Sequence, residues 1–469
     1  NSQNTALKNR IRPTHFPLCL KPTRPPLNVK KRKTIGMKEV RVDVTGCYLE
    51  RTGISARDLQ QLAPRLEAAR QSLLAHRETH DWAERFAADY DTNRWESALY
   101  RVLKGAHRLR DRVDAAVVVG RGDWTLAARA LWQACADPYF NEHDRGERGA
   151  RQRLYFAGDD FDNDAFQGLV RLLEQGKRAD AEVDGAGRWA LLTIADHKVA
   201  PECEWAFRNL SAALERKLGA EAGDLPEYVV PIVGGKHEFA NHLWEMRREH
   251  AFAIPEGMPP SAAWFSAAAL LPAAMLGADV VRFLRGAMTL RERFLKAPVG
   301  DNPVLDLVGI HYLLERRCGV SSRVLSVWAS ALAGVAAWQG RLARSAMRKF
   351  GRGRWREVGT AAGGLADRRD VVSQLADDEA LTQWCIGEWR SDPAAAGITE
   401  GTAQTFPDRM FRTLVETRGA LRDKGRPQVE IWLPRVDESS LGQLVQLGLL
   451  AESLDHWLHK LSNVGSSLS

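Results

Sequence analysis

The stretch Ala115-Ala116-Val117-Val118-Val119-Gly120-Arg121-Gly122-Asp123-Trp124 decides the reading of this chain. Five small or β-branched apolar residues in a row predict a short strand buried on both faces. The two glycines after it predict a tight turn, and a helical stretch over 126–135 follows. The same unit then recurs. Strands over 153–157, 189–194 and 228–233 are followed by helical periods over 165–173, 202–218 and 238–247, and a fifth strand lies at 251–254. Buried strands alternating with helices predict an α/β fold with a parallel sheet covered on both faces. Ligands of such sheets sit at the carboxyl ends of the strands.

Upstream, Leu59, Leu62, Leu66 and Ala69 recur at helical spacing, so residues 55–112 read as helices. Downstream, residues 264–317 read as apolar helices, with 267–276 a buried one. A second α/β unit follows: a strand over 323–327, a long helix over 329–349, a strand over 428–433 and a helix over 441–459. Ser440 and Gln443 have the spacing of a capping box for that last helix. Residues 350–425, rich in Gly, Asp and Arg, show no clear period. The expected organisation is a disordered tail over 1–36 and a helical segment over 37–112. A first lobe over 113–260 and a second over 261–460, with a helical link, come next, then a frayed end over 461–469.

The chain has 469 residues, 45% hydrophobic and 27% charged, ordinary for a globular protein. No apolar run reaches the ~18 residues of a membrane helix. Its net charge of +7 comes from the tail: residues 1–36 hold nine Lys or Arg and no acid, leaving 57 basic against 59 acidic residues. Nucleic-acid binding needs a basic patch on the folded body, so such a partner is not expected. The run Lys30-Lys31-Arg32-Lys33 reads as a flexible extension or as an address. The six cysteines are scattered without a C-x-x-C pair, which favours free thiols over a disulfide framework or a zinc site.

Several stretches together resemble the glucose-6-phosphate isomerase family. Val118-Val119-Gly120-Arg121-Gly122, Leu154-Tyr155-Phe156-Ala157-Gly158-Asp159 and Ala206-Phe207-Arg208 are similar to its first sugar-isomerase domain. Ile254-Pro255-Glu256-Gly257 and Leu270-Leu271-Pro272-Ala273-Ala274 resemble its inter-domain link, and Asp301-Asn302-Pro303 and Leu313-Leu314-Glu315-Arg316-Arg317 continue it. Val324–Trp328 as a strand, then Leu433-Pro434-Arg435-Val436-Asp437-Glu438 and Leu441-Gly442-Gln443-Leu444, resemble its second domain. The match runs in order from about residue 45 to 460. It implies two sugar-isomerase domains, each a parallel sheet flanked by helices, a cytoplasmic homodimer, and a sugar phosphate as partner with no cofactor or metal.

Aldose–ketose isomerisation makes three demands. The phosphate needs a cradle of hydroxyls and backbone N–H groups. A carboxylate must move a proton between two carbons, and a cation must stabilise the enediolate. A ring-opening acid completes the set. By the resemblance, a Ser-Lys-Ser-Gly-Gly-Thr type loop should follow the third strand, but the chain reads Ala195-Asp196-His197-Lys198-Val199-Ala200. This reads first as a polar strand end, with His197 and Lys198 left to attract an anion. The first loop keeps Gly120 and Gly122 but has Asp123 and the bulky Trp124. Ser261 falls where the family has its enediolate Arg, and Ser345 where it has its base. In Arg369-Asp370-Val371-Val372-Ser373-Gln374, Val372 replaces the ring-opening His, while Gln374 matches. A Gln- and Lys-bearing segment expected after the last helix is not found.

Three hypotheses follow. The first is a catalytically inert or strongly impaired relative, kept as scaffold or sugar-phosphate sensor. The second is a working isomerase with relocated groups, drawing on His197, His237, Glu357 and Asp370, with Glu357 as the displaced base. The third is partner or nucleic-acid binding through the tail. No P-loop, Gly-x-Ser-x-Gly elbow or metal-ligand cluster is found. His311, in an apolar helix, reads as a core or interface residue.

Overall fold

The computed structural model describes residues 38–76, 81–175, 187–198, 200–350, 354–357, 373–391, 395–399 and 402–466. The alternation read from the sequence builds a first sheet of five strands: β2 (Ala115–Val119), β3 (Arg153–Ala157), β4 (Trp189–Ala195), β5 (Val229–Val233) and β6 (Phe252–Ala253). Their spatial order is β3-β2-β4-β5-β6, and every pairing is parallel. Val117 sits between Tyr155 and Leu191, and all five β2 residues are buried. Helices α4 (Asp123–Cys135), α5 (Asn163–Gln175), α6 (Pro201–Leu218) and α7 (Glu238–Met246) make the crossovers.

The second sheet repeats this winding. Strands β7 (Ser322–Val327), β8 (Arg354–Glu357), β9 (Glu379–Glu388) and β12 (Gln428–Arg435) lie in the order β8-β7-β9-β12, all parallel. In each sheet the second strand in sequence pairs outward and the third returns to the other side of the first. The winding therefore reverses between β2 and β4, and again between β7 and β9. Those two crevices are where such sheets bind ligands.

Three corrections to the sequence reading arise here. The segment 37–112 is not purely helical. It opens with β1 (Arg41–Asp43), which pairs antiparallel with β12 and gives the second sheet an antiparallel edge. Helices α1 (Ala56–Ala75), α2 (Trp82–Ala87) and α3 (Ala98–Arg110) follow. Second, the weakly periodic 350–425 region also holds a hairpin, β10 (Ala395–Thr399) with β11 (Thr402–Thr405), and the helix α12 (Phe406–Asp423). Thr405 and Asp408 form the capping box of α12. Third, α13 runs over Glu438–Ser466, longer than the helix expected over 441–459, and the Ser462 and Tyr312 hydroxyls lie 3.0 Å apart. Its cap is not Ser440. Asp437 accepts from the Ser440 N–H at 2.9 Å, while Gln443 reaches back to accept from the Val40 N–H at 2.9 Å, fixing the approach to β1. The expected tail over 1–36 lies outside the described residues.

Between the sheets run α8 (Ala267–Leu276), α9 (Val280–Lys296), α10 (Pro303–Cys318) and α11 (Ala333–Phe350). Helix α8 is apolar all round and almost wholly buried. It is capped by the Ser266 hydroxyl, which accepts from the Ala268 N–H, and ends at the left-handed Gly277. Helix α13 packs along α9 with the two backbones in near contact. A Cβ on Gly442 would lie 2.0 Å from the Phe283 carbonyl oxygen, and one on Gly286 would lie 2.1 Å from that of Ser439. No helix among the described residues is long and apolar enough to cross a membrane.

Two outcomes follow from this packing. Gly442→Val forces α9 and α13 apart and lowers stability by about 3 kcal/mol or more, read from urea unfolding. Asp306, in the first turn of α10, is buried, which pushes its carboxyl up to about 6, although the Gly300 N–H donates to it at 2.7 Å. Because the folded value lies above the ordinary one, ionisation costs stability. That cost is absent below about pH 4, grows towards pH 6 and is complete above it. Asp306→Asn should therefore be more stable than the parent by about 1–3 kcal/mol at pH 7.5 and equal to it at pH 3.5.

Candidate functional site

At the carboxyl end of β2 the chain turns through Gly120 and Gly122. Gly122 has φ 61°, a left-handed backbone that glycine adopts without strain. A Cβ on Gly120 would come within 3.1 Å of Ile194 on β4, so only glycine lets the two strand ends close. The Gly122 N–H, which opens α4, donates to Asp159 at 2.7 Å. A helix N-terminus that would suit a phosphate is thus already held by a carboxylate.

Across the crevice, Asp196 follows β4. Its Oδ1 accepts from the Lys198 N–H at 3.1 Å, and its Oδ2 accepts from the Trp124 indole at 3.1 Å. Its carbonyl accepts from His237 Nε2 at 2.9 Å, while His237 Nδ1 accepts from the Ala240 N–H and caps α7. That pair of bonds fixes the tautomer and leaves His237 a structural residue. Trp124 is 2% exposed, so its ring fills the space between β2 and β4. His197 packs edge-on to the Gly234-Gly235 turn, and Lys198 projects to solvent. Arg121 pairs with Glu202 at 3.3 Å rather than standing free for an anion.

The first turn of α6 carries Pro201, Glu202 and Glu204, which opposes an anion at that N-terminus. Cys203 beside it is buried, which pushes its thiol up to about 12, and it donates to the Gly158 carbonyl at 3.3 Å. It is therefore not a nucleophile.

Helix α11 brings the second lobe to this crevice. Trp338 donates its indole N–H to the Ser261 carbonyl at 3.0 Å, and Arg341 lies 3.5 Å from Asp123. Burial pushes the Asp123 carboxyl above its usual range; Arg341 offsets this and Asp159 adds to it. Ser345 lies one turn beyond Arg341 and is exposed. Gly120, Gly122, Asp123, His197, Lys198, Ser261 and the Ser345 helix thus gather around one crevice. Gln374 does not share that strand-end placement, being exposed ahead of β9 at the amino end of the second sheet. Glu357 closes the edge strand β8. Val372 and Asp370 lie outside the described residues. Sequence reasoning missed Asp159 and Arg341, although Asp159 directly follows the strand-end Gly158 that marks it as a loop residue facing α4.

Two parallel sheets with crevices facing a common set of helices define a sugar-isomerase-type α/β scaffold. A hypothetical protein from Thermus thermophilus shares the fold at TM-score 0.71 and 20% identity over 91% of this chain and 99% of its own. The glucose-6-phosphate isomerase of Chlamydia trachomatis shares it at TM-score 0.61 and 12% identity, over 88% and 85%. In sequence, the glucose-6-phosphate isomerase of Rubrobacter xylanophilus is 26% identical over 422 residues, 87% of this chain and 90% of that protein. That of Streptococcus thermophilus is 23% identical over 377 residues, 77% and 79% respectively. No protein-family model matches the chain. The chain is a divergent relative of the glucose-6-phosphate isomerases.

Trp124→Phe removes the indole donor and leaves Asp196 Oδ2 unpaired at a half-buried position. It should cost about 1–2 kcal/mol in urea unfolding.

Proposed function

We propose that this chain keeps the isomerase scaffold without interconverting glucose 6-phosphate and fructose 6-phosphate at an enzymatic rate. The observation that carries this reading is the charge of the crevice. Asp159 and Asp196 already accept the backbone N–H groups that a phosphate dianion would need, and Asp123 and Glu202 are held beside them by Arg341 and Arg121, which are thereby engaged. Ser261 and Ser345 supply neither the cation nor the carboxylate that the reaction needs. His237 is committed to capping α7. The remaining role is that of a scaffold for partners or a weak sensor of sugars. The family resemblance further supports a cytoplasmic homodimer, measurable by light scattering.

A second reading is favoured by one observation. Glu357 ends β8 at the carboxyl edge of the second sheet, the side on which such folds place their chemistry. A relocated base there would give a working isomerase.

A coupled assay of glucose 6-phosphate turnover on the full chain separates the two. The expected result is no turnover above the protein-free rate; a thermal shift with either sugar phosphate would then mark a sensor, and no shift a scaffold alone. Turnover at ordinary enzyme rates, on the order of 10 s⁻¹, that disappears in Glu357→Ala would overturn the first reading and establish the second.

A further inference from the structure

A separate cavity lies at the opposite end of the second sheet. It opens at the amino ends of β7 and β9, has a volume of about 240 Å³, and takes its walls from α10, α11 and α13. An inner chamber of about 40 Å³ shares His311, Arg323 and Glu452 with it.

Some of the polar groups here are only partly satisfied, which burial makes costly. Arg323 is buried, with a side chain 14% exposed, and its one hydrogen bond runs from Nη2 to Asp455 at 3.3 Å. Its other N–H groups have no acceptor among the described residues. The Glu452 carboxylate on α13 faces Arg323 and Asp455 without a hydrogen-bond donor among the described residues, and burial pushes it up to about 7. Burial drives His311 down to about 3, so its ring is neutral, and its buried Nε2 has no partner. Glu315 also acts on Arg323, and is itself 3.4 Å from His459. Ser321 and His456 also line the cavity, and the rest of the wall, including Leu314, Val320 and Met347, is apolar.

We propose that this cavity binds a small zwitterion, an α-amino acid with an aliphatic side chain. Its carboxylate would take the unused guanidinium donors of Arg323, and its ammonium would bond Glu452 and Asp455. Such charge-assisted contacts are the strong ones when buried. A sugar phosphate dianion would face three carboxylates against one guanidinium. A neutral polyol would leave both charges uncompensated. The site stands apart from the β2–β4 crevice, so it does not depend on whether the isomerase reaction survives.

The test is calorimetric titration and thermal shift on the full chain with glycine, alanine, valine and leucine. Sorbitol, ammonium chloride and inorganic phosphate serve as comparison ligands. The expected result is saturable binding of at least one aliphatic amino acid and of none of the comparison ligands. Glu452→Gln should weaken it at least tenfold, and Met347→Trp, which fills the cavity, should abolish it. Circular dichroism and unchanged melting temperatures would show both variants folded; if one fails to fold, the other decides. No binding by any of the four amino acids overturns the proposal. So does binding that both folded variants retain, or equal binding of a comparison ligand.

Discussion

Two largely parallel sheets, whose central strands are buried on both faces, must be covered by helices, and this constraint shapes the rest of the chain. The decisive element is α8, a helix of alanine, leucine and methionine with scarcely any polar side. It packs against α3, α4 and α9 and so lies between elements that belong to both sheets. An apolar helix needs no particular rotation to hide its side chains, which lets it serve several neighbours at once. The price is that α9 and α13 must approach closely enough to close the layer behind it. Glycine at 286 and 442 allows that approach.

The repeated winding creates two crevices, and both are closed in the same way. Between β2 and β4 the Trp124 indole donates to Asp196 at 3.1 Å. Between β7 and β9 the Trp328 indole donates to Gln383 at 3.1 Å. Both rings are nearly inaccessible, at 2% and 3% exposure. A sheet that binds a ligand at its winding reversal leaves room there. A sheet that fills it with a bonded indole gains buried apolar area and a satisfied donor instead.

The fold was legible because short runs such as Ala115–Val119 bury both faces and leave no ambiguity of period. Where that signal fails, so did the reading. Strand β1 has three residues, two of them charged, and forms only because β12 offers an unpaired edge, a tertiary fact that three residues cannot announce. The cap of α13 was misplaced because Asp437 and Ser440 both have cap chemistry. Only the backbone decides which N–H groups are left over. The crevice was legible in part. Glycine at 120 and 122 and the bulk of Trp124 are visible as letters, whereas the links from Asp159 to Gly122 and from Arg341 to Asp123 join residues 37 and 218 positions apart.

The distribution of buried charge argues that the two ends of the second sheet are under different demands. At the carboxyl end, the buried Trp328 indole donates to Gln383 at 3.1 Å. At the amino end, Arg323, Glu452 and His311 come from three elements and line an open cavity, and the buried His311 Nε2 has no partner among the described residues. Replacing such a group by a hydrophobic residue of similar size is often neutral or stabilising, so packing alone gives no reason to keep them. A leucine or methionine at 452 would continue the apolar stripe of α13, yet a carboxylate stands there. Charges that cost the fold stability, held around a space that none of the described residues fills, are most simply explained by a ligand that completes them.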